Sequence, residues 1–389
     1  MDLVYIEKGM CGFMRMYRAE KDIAWRLKRI SEAKTSFPTS REEIEGLGSY
    51  NEEQQMYIQT FAQNSLSLLL GSPGTGKTHT ICGVIKLMLK WKPDAKIYLC
   101  APTARAAGIL KEKSGQKAST IHSLLGLQAF GEKKFEKNEE NPIEADLIIV
   151  DEMSMVGTKI FSRLLQAISP GTKVALVGDP NQLESVDAGS ILRDLLHSNF
   201  IPSVELTKIM RQEEGSAIIE NCTRVRQGRW DFIQSDSFIY RKCLTEKEGL
   251  AFLFSNYSIE RKDAQIISTT KKGLLGTEAI NKYFERKKDK TGIYIGDRYF
   301  HSGDKVVFTR NNYTEGYCNG DIGYIAEISE TEITVDIPDA KIILKPDFFH
   351  DLSHAECMTV HKTQGGEFND VFIPVSYTHL RAHETLRHL

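Results

Sequence analysis

One glycine-rich stretch of the sequence has the residue types and the spacing that bind phosphate. Residues 71–78 read GSPGTGKT and fit the pattern G-x-x-x-x-G-K-[ST], after an apolar run and before a helix-like segment. Glycines let successive backbone N–H groups point inward at an anion, while Lys77 reaches the β and γ phosphates and Thr78 holds Mg²⁺. The stretch therefore predicts a nucleotide site formed by Gly71, Ser72, Pro73, Gly74, Thr75, Gly76, Lys77, Thr78 and His79.

A pair of carboxylates supplies the groups that such a loop needs for hydrolysis. Asp151 and Glu152 follow the apolar run LIIV, so we expect them at the end of a strand. Asp151 suits the coordination shell of Mg²⁺, and Glu152 suits polarising the water that attacks the terminal phosphate. An acidic pair that only caps the next helix is the alternative, and the phosphate loop makes that alternative the weaker one.

Three further polar residues have types that suit a nucleotide site. Gln182 follows the strand-like run KVALVGD and could orient water at the γ-phosphate, although Asp-Pro-Asn before it is also good turn chemistry. Arg211 lies past the first α/β segment and could stabilise transferred charge; a surface salt bridge is its alternative. Gln54 precedes the loop and could offer adenine a donor and an acceptor together, but taken alone it is more typical of a helix surface.

The hydrophobic pattern changes twice along the chain. Strand-like and helix-like runs alternate from 51 to about 200, which predicts a parallel sheet covered on both faces. Short alternating runs after residue 304 predict a small antiparallel β-barrel inserted into a second α/β unit. The expected fold is α/β, with these segments: a helical leader and linker at 1–48, a first lobe at 49–214 with a small insert at 127–143, a second lobe at 215–375 with the β insert at 304–350, and an atypical tail at 376–389.

Composition excludes several classes of protein. The 389 residues are 41% hydrophobic and 26% charged, as in globular proteins of two or three domains. No apolar run approaches the length of a membrane span, and the first residues lack the pattern of a signal peptide. Seven scattered cysteines without a CxxC pair indicate reduced thiols in a cytoplasm. The net charge of −2 gives no indication of nucleic acid, so such binding would need a local groove.

Nine short stretches, in this order along the chain, resemble the motifs of superfamily 1 DNA helicases and most closely those of the RecD-like branch. They span roughly residues 17–375 and read NEEQQ, GSPGTGKTHT, APTARAA, STIHSLLG, LIIVDEMSMV, LVGDPNQL, LTKIMRQ, YCNGDIG and TVHKTQGGEF. The resemblance implies two RecA-like lobes with ATP and Mg²⁺ between them, single-stranded DNA across both, and movement from 5′ to 3′. It also implies that the insert at 127–143 is a strand-separating hairpin and that the β insert is an SH3-like barrel.

The resemblance assigns roles to residues outside the phosphate loop. It implies that Gln54 contacts adenine, that Gln182 and Arg211 face the γ-phosphate, and that Glu367 of the second lobe reaches the nucleotide. The implied DNA contacts are Pro102, Thr103, Arg105, Thr120 and His122 in the first lobe, and Thr359, His361 and Lys362 in the second. Hydroxyls exposed at strand ends would contact the DNA backbone without reading sequence. Buried, satisfied imidazoles remain the alternative for both histidines.

We therefore expect an ATP-dependent 5′–3′ DNA helicase of the bacterial cytoplasm, acting in repair or recombination on single strands and on junctions with duplex. The family follows its last matched strand with a helix whose arginine completes the ATP site, whereas residues 376–389 read SYTHLRAHETLRHL. This departure predicts a truncated chain with a foreign tail. It also keeps open a catalytically impaired protein that only binds single-stranded DNA. A P-loop nucleotide kinase explains neither LVGDPNQL nor TVHKTQGGEF.

Overall fold

The structure, a computed structural model, describes residues 4–7, 10–33, 40–126, 135–210, 216–286, 292–312, 314–338 and 340–376. The chain divides into two compact units, Met1–Phe238 and Ile239–Leu389. This division comes later than the one expected after residue 214. Residues 216–238 belong to unit 1, and Arg226 of this segment donates to Ser72 of the phosphate loop. Within the segment, the side chain of Asn221 bonds to the backbone of Ile233.

Unit 1 is an α/β unit built on a parallel sheet. Its strands are β1 (Val4–Glu7), β2 (Met10–Phe13), β3 (Leu66–Gly71), β4 (Ile97–Ala101), β5 (Ala118–Thr120), β6 (Leu147–Val150), β7 (Lys173–Gly178) and β8 (Ser203–Leu206). Its helices are α1 (Met14–Glu32), α2 (Arg41–Glu45), α3 (Glu52–Gln63), α4 (Lys77–Trp91), α5 (Ala104–Ser114), α6 (Ile121–Leu124), α7 (Thr158–Gln166), α8 (Ile191–Ser198) and α9 (Ala217–Arg226).

The six-stranded sheet has the order β5-β4-β6-β7-β3-β8, and all its paired strands are parallel. Strands β3, β6 and β7 are buried throughout, as the continuous apolar runs predicted. Alternate residues serve different faces: Leu68 and Leu70 belong to one hydrophobic cluster and Leu69 to another. Because the strands are parallel, the segments that leave their carboxyl ends all start from one edge.

The helical leader is packed into unit 1. Helix α1 buries Ile23, Leu27 and Ile30 in the same cluster as Leu66 and Phe161. Its Asp22 accepts hydrogen bonds from the side chains of Arg26 at 2.8 Å, Ser162 at 3.0 Å and Gln166 at 2.9 Å. The preceding antiparallel hairpin β1–β2 was not anticipated from the sequence.

A buried lysine closes one end of helix α3. The ammonium of Lys173, at the start of β7, donates to the backbone carbonyls of Phe61 at 2.9 Å, Ala62 at 3.4 Å and Asn64 at 2.6 Å. These carbonyls belong to the last turn of α3 and the residue after it, where intrahelical donors run out. Burial lowers the pKa of Lys173 to about 7. The lysine thus satisfies polar groups that would otherwise be buried unpaired.

Unit 2 combines a small parallel sheet with antiparallel strands. Strands β9 (Ala264–Ser268), β17 (Cys357–Thr359) and β18 (Asp370–Phe372) form the parallel sheet β17-β9-β18. The antiparallel part is the hairpin β10 (Gly292–Ile295) and β11 (Arg298–His301), and the sheet β15-β14-β13-β12-β16 of β12 (Lys305–Phe308), β13 (Ile322–Ile328), β14 (Ile333–Ile337), β15 (Ala340–Leu344) and β16 (Leu352–His354). The helices are α10 (Glu246–Asn256), α11 (Thr277–Arg286) and α12 (Val360–Thr363).

The predicted fold class is confirmed: parallel sheets in both units and an antiparallel insert in the second. The insert extends beyond the predicted 304–350, because Ile295 and Phe300 of the hairpin share a hydrophobic cluster with Val306 and Leu352. Of the predicted hairpin at 127–143, residues 127–134 lie outside the described part. Within the described residues, no helix is both long and apolar enough to cross a membrane.

Replacing Leu27 by alanine should lower the free energy of unfolding of unit 1 by about 2–5 kcal/mol, because a buried cavity is left. Lys28→Ala, whose side chain is 68% exposed, should stay within about 0.5 kcal/mol. Urea titration followed by tryptophan fluorescence reports on this unit, since Trp25, Trp91 and Trp230 all lie in it. Equal, small effects of both variants would show that α1 is not part of the core.

Candidate functional site

The phosphate loop lies between a buried strand and a helix, as its motif requires. Strand β3 ends at Gly71 and α4 begins at Lys77. Between them the backbone turns at Gly74, with φ 84°, and at Gly76, with φ 87°. Side chains rarely adopt this left-handed region, so these two glycines let the loop curl. Successive N–H groups and the N-terminus of α4 can therefore face an anion.

Gln54 contacts the loop from helix α3. A Cβ atom added to Gly76 would lie 2.6 Å from the Gln54 Nε2 atom. The amide nitrogen of Gln54 donates to the Thr75 carbonyl at 3.5 Å, and its amide oxygen accepts from the Asn51 backbone N–H at 3.1 Å. Gln54 is buried, so a position on the helix surface is wrong. Here the side chain supports the loop, and its contact with adenine stays a prediction.

The side chain of Lys77 reaches back to the first two residues of the loop. Its ammonium donates to the Gly71 carbonyl at 2.8 Å and to the Ser72 carbonyl at 3.3 Å. Thr78 follows it, half-buried at the first turn of α4. His79 is turned away from the loop: its Nε2 atom lies 3.0 Å from the Ser49 carbonyl and its ring stacks near Tyr50. The structure thus places the ammonium of Lys77 against the loop, whereas the ring of His79 contacts Ser49 and Tyr50 instead. Binding of phosphate by Lys77 and Thr78 stays a prediction.

The two predicted catalytic carboxylates follow β6 at the same edge of the sheet. Asp151 accepts a hydrogen bond from the Glu152 backbone N–H at 2.8 Å. Burial raises the pKa of Asp151, and burial together with the charge of Asp151 raises the pKa of Glu152 to about 7. The positive charge of Lys77 opposes both shifts in pKa, so the lysine lies close enough to both carboxylates to influence their charge.

Glu152 has a strained backbone. Its φ of 54° and ψ of 44° lie in the left-handed region, which costs on the order of 1–3 kcal/mol for a residue that is not glycine. Its Oε2 atom and the Oδ2 atom of Asp179 are buried, and neither has a hydrogen-bond partner within the described residues. Carboxylate oxygens of this kind are the ligands that Mg²⁺ prefers, so Asp151 and its neighbours fit a bound magnesium ion. The sequence motifs give Asp179 no role, although its position directly after a strand-like run can be seen in the sequence.

Gln182 follows strand β7, which lies between the strand before the phosphate loop and the strand before Asp151 and Glu152. Strand β7 pairs with β3 on one side and β6 on the other. After it, Asp179 starts a turn that includes hydrogen bonds from the backbone N–H groups of Asn181 and Gln182. The turn alternative is therefore correct for the local backbone, and it also presents the half-buried Gln182 at the site edge. Arg211 lies outside the described residues.

The predicted DNA contacts of unit 1 lie along a neighbouring part of the edge. Ala101 of β4 pairs with Thr120 of β5, so the segments that follow both strands start side by side. Thr103 accepts from the Ala106 N–H at 3.2 Å, and Thr120 from the Ser123 N–H at 3.0 Å. Both threonines are helix N-caps. The expectation that all these hydroxyls are exposed is wrong for Thr120, which is buried because it caps α6. The capping bond uses an oxygen lone pair and leaves the O–H hydrogen for a phosphate.

Three other predicted contacts surround these caps. Pro102 and Arg105 are half-buried on either side of Thr103. His122 is half-buried on α6, with its ring 6.3 Å from that of Phe135. Burial lowers the pKa of His122, against the influence of Asp187, so the imidazole is neutral at physiological pH. A neutral ring can donate one hydrogen bond to a DNA backbone without adding charge.

In unit 2 the predicted contacts follow β17. Thr359 ends the strand, and His361 and Lys362 are exposed on α12. The ammonium of Lys362 lies close against the protein, and this partial burial, followed by the charges of Lys271 and Arg298, lowers its pKa. Lys362, Lys271 and Arg298 together form a basic cluster. Lys271 and Arg298 were not predicted from the sequence. The parallel pairing of β17 with β9 brings Lys271, which follows β9, near the segment after β17, whereas Arg298 comes from β11 of the insert.

Glu367 lies three residues before β18, beyond a turn at Gly365 with φ 69°. Its side chain is exposed in unit 2. The contact with nucleotide that was expected of Glu367 stays a prediction.

Comparisons with known proteins match both parts of this architecture. The family model of an AAA domain matches residues 49–240, and that of the ATP-dependent RecD-like DNA helicase SH3 domain matches residues 278–337. The chain is 32% identical over 342 residues to the ATP-dependent RecD2 DNA helicase of Deinococcus radiodurans, which covers 85% of this chain and 46% of that protein. It is 27% identical over 369 residues to the RecBCD enzyme subunit RecD of Mycolicibacterium smegmatis, covering 84% and 66%. The chain thus spans about half to two thirds of the length of these relatives.

Solved structures share the fold at low identity. The Pif1 helicase from Bacteroides in complex with ADP-AlF3 and ssDNA superposes with a TM-score of 0.54 at 22% identity, covering 85% of this chain and 87% of that one. The Pif1 helicase from Candida albicans gives a TM-score of 0.51 at 17% identity, covering 84% and 89%. These likenesses support the fold that the strand order describes.

Gly76→Ala should destabilise unit 1 by about 1 kcal/mol or more, because the new side chain would require a left-handed backbone and would approach Gln54. Gly108→Ala is the matched control: it lies inside α5 with no atom within 4 Å of the added Cβ, and should stabilise by up to about 1 kcal/mol. Urea unfolding of both variants measures this difference. A stabilising effect of Gly76→Ala would contradict the loop geometry.

Proposed function

The chain belongs to the RecD-like family of superfamily 1 DNA helicases, and we propose on this premise that it couples Mg-ATP hydrolysis to 5′–3′ movement on single-stranded DNA and to duplex unwinding. The observation that carries the proposal is Glu152 beside Asp151, with a left-handed backbone, a buried Oε2 atom and a position close enough to Lys77 of the phosphate loop for the charge of the lysine to act on it. A protein that only bound nucleotide would have no use for that strain.

The proposed chemistry gives each of the predicted residues one role. The loop N–H groups and Lys77 bind the β and γ phosphates, and Thr78 and Asp151 hold Mg²⁺, which neutralises charge on the phosphate oxygens when bound. Glu152 accepts a proton from the attacking water, since its carboxylate follows Asp151 at the edge of the sheet where the phosphate loop begins. Gln182 and Arg211 orient water and stabilise charge at the γ-phosphate, and Gln54 and Glu367 contact the nucleotide.

Single-stranded DNA and its junctions with duplex are the proposed partners. Thr103, Thr120 and Thr359 offer hydroxyls to the backbone, and the basic cluster of Lys362, Lys271 and Arg298 attracts phosphates whatever their sequence. A relative named as an ATP-dependent DNA helicase supports DNA as the partner. The 5′–3′ direction and a role in repair or recombination are proposed from the resemblance of the motifs to the RecD-like branch. The seven free cysteines suit a reducing bacterial cytoplasm.

With Mg-ATP, the chain should unwind a duplex that carries a 5′ single-stranded tail and leave a 3′-tailed duplex intact. Glu152→Gln should still bind ATP but lose hydrolysis and unwinding by at least about 100-fold, because the proton acceptor is gone. Glu144→Gln is the control, since this exposed carboxylate pairs only with Lys96 among the described residues. Preferential unwinding of the 3′-tailed duplex in a gel assay would contradict the proposed direction.

Lys362→Ala and Lys271→Ala should each weaken the binding of single-stranded DNA, and the loss of affinity should be the same for oligonucleotides of any sequence. Each should also reduce the slope of log K against log salt by about 0.7, since one phosphate contact is lost. Lys341→Ala is the control: its exposed ammonium lies 3.8 Å from Asp336 on the insert. Fluorescence anisotropy of labelled oligonucleotides at several salt concentrations measures the slopes. Unchanged slopes in the first two variants would remove the basic cluster from the DNA site.

A further inference from the structure

An arginine that no motif predicted, Arg226, contacts the phosphate loop. Helix α9 ends at Arg226, and the Nη2 atom of this residue donates to the hydroxyl oxygen of Ser72 at 3.0 Å. Ser72 is the second residue of the loop motif, 154 positions away in sequence. No sequence motif singled out Arg226, and its place appears only once α9 is folded back on unit 1.

The chain approaches the loop at several points on its way to this arginine. After β8, the backbone N–H of Thr207 donates to the Glu53 carboxylate at 2.9 Å. The N–H of Met210 then donates to the Gly74 carbonyl at 2.8 Å. The segment before α9 is therefore bonded both to the loop and to α3, and Arg226 at the end of α9 bonds to the loop again.

Neighbouring arginines have different partners. Arg224 lies 2.7 Å from the Asp231 carboxylate, and Arg229 donates to the same carboxylate at 3.0 Å. Within the described residues, no carboxylate lies within salt-bridge distance of Arg226, and Ser72 is its one hydrogen-bond partner. A cation at the C-terminus of a helix is favourable by itself, and this is the simplest structural explanation for Arg226. It does not account for the contact with the loop.

Ser72 marks the end of the loop at which the outer phosphates bind. Lys77, which reaches the β and γ phosphates in such loops, donates to the Ser72 carbonyl at 3.3 Å. A guanidinium held at the side chain of the same residue has further N–H donors, and its planar fork matches phosphate oxygens. Arg226 is also exposed, so its side chain has room to turn toward a ligand.

We propose that Arg226 is a nucleotide-contacting residue that donates to the γ-phosphate of ATP. This rests on the proposed function, because it requires that loop 71–78 bind ATP. The hydrogen bond to Ser72 then holds the guanidinium beside the site when nucleotide is absent. Loss of the arginine should affect ATP more than ADP, because ADP lacks the phosphate that it contacts.

The test compares Arg226→Gln and Arg226→Lys with Arg229→Gln, which removes a charge near the same helix end without touching the loop. Equilibrium binding of a non-hydrolysable ATP analogue and of ADP, both with Mg²⁺, is measured by fluorescent-nucleotide displacement. Arg226→Gln should weaken the ATP analogue by about tenfold or more, as expected for a charge-assisted hydrogen bond, and leave ADP within about twofold. Arg226→Lys should recover part of the loss, and Arg229→Gln should match the wild type.

Two results overturn the inference. If Arg226→Gln binds both nucleotides like the wild type, or weakens both equally with a lower melting temperature, the arginine only supports the fold. If the wild-type chain itself binds no ATP analogue, the proposed function fails first, and this outcome is distinguishable because it appears before any variant is compared.

Discussion

The nucleotide site depends on one constraint, the parallel direction of β6, β7 and β3 in the sheet of unit 1. Parallel strands bring their carboxyl ends to one edge, and these three are neighbours. Each strand is followed there by a different group: the carboxylates Asp151 and Glu152 after β6, the Asp179 turn with Gln182 after β7, and the phosphate loop after β3. Because the strands are buried on both faces, hydrophobic packing fixes their register, and with it the spacing of polar groups that share few direct bonds.

The same packing sustains local features that are unfavourable alone. Glu152 has a left-handed backbone, and carboxylate oxygens of Glu152 and Asp179 are buried without a partner among the described residues. An unsatisfied buried oxygen costs about 1–3 kcal/mol. Such strain persists only where the surrounding structure over-determines it, and it accumulates where a ligand is to be bound. Binding of a cation and a phosphate at this edge of the sheet would relieve this strain.

Much of this could be predicted from sequence because it is local. The phosphate loop, the buried strands and the carboxylates that follow β6 are each encoded within about ten residues. The remaining features depend on contacts between distant segments. Burial of Thr120 follows from its cap on α6, and the place of Lys271 near Lys362 follows from the pairing of β17 with β9. The place of Arg226 follows from its contact with a residue 154 positions earlier. The periodicity of hydrophobic residues along the sequence does not predict such contacts.

The most direct test of coupling between the two ligands is the steady-state rate of ATP hydrolysis by this chain with and without oligo-dT. We expect a rate that rises at least about tenfold with saturating oligo-dT, because the proposed function couples DNA binding to hydrolysis. An unchanged rate, with oligo-dT bound in the same sample, would contradict it and leave a protein that only binds single-stranded DNA.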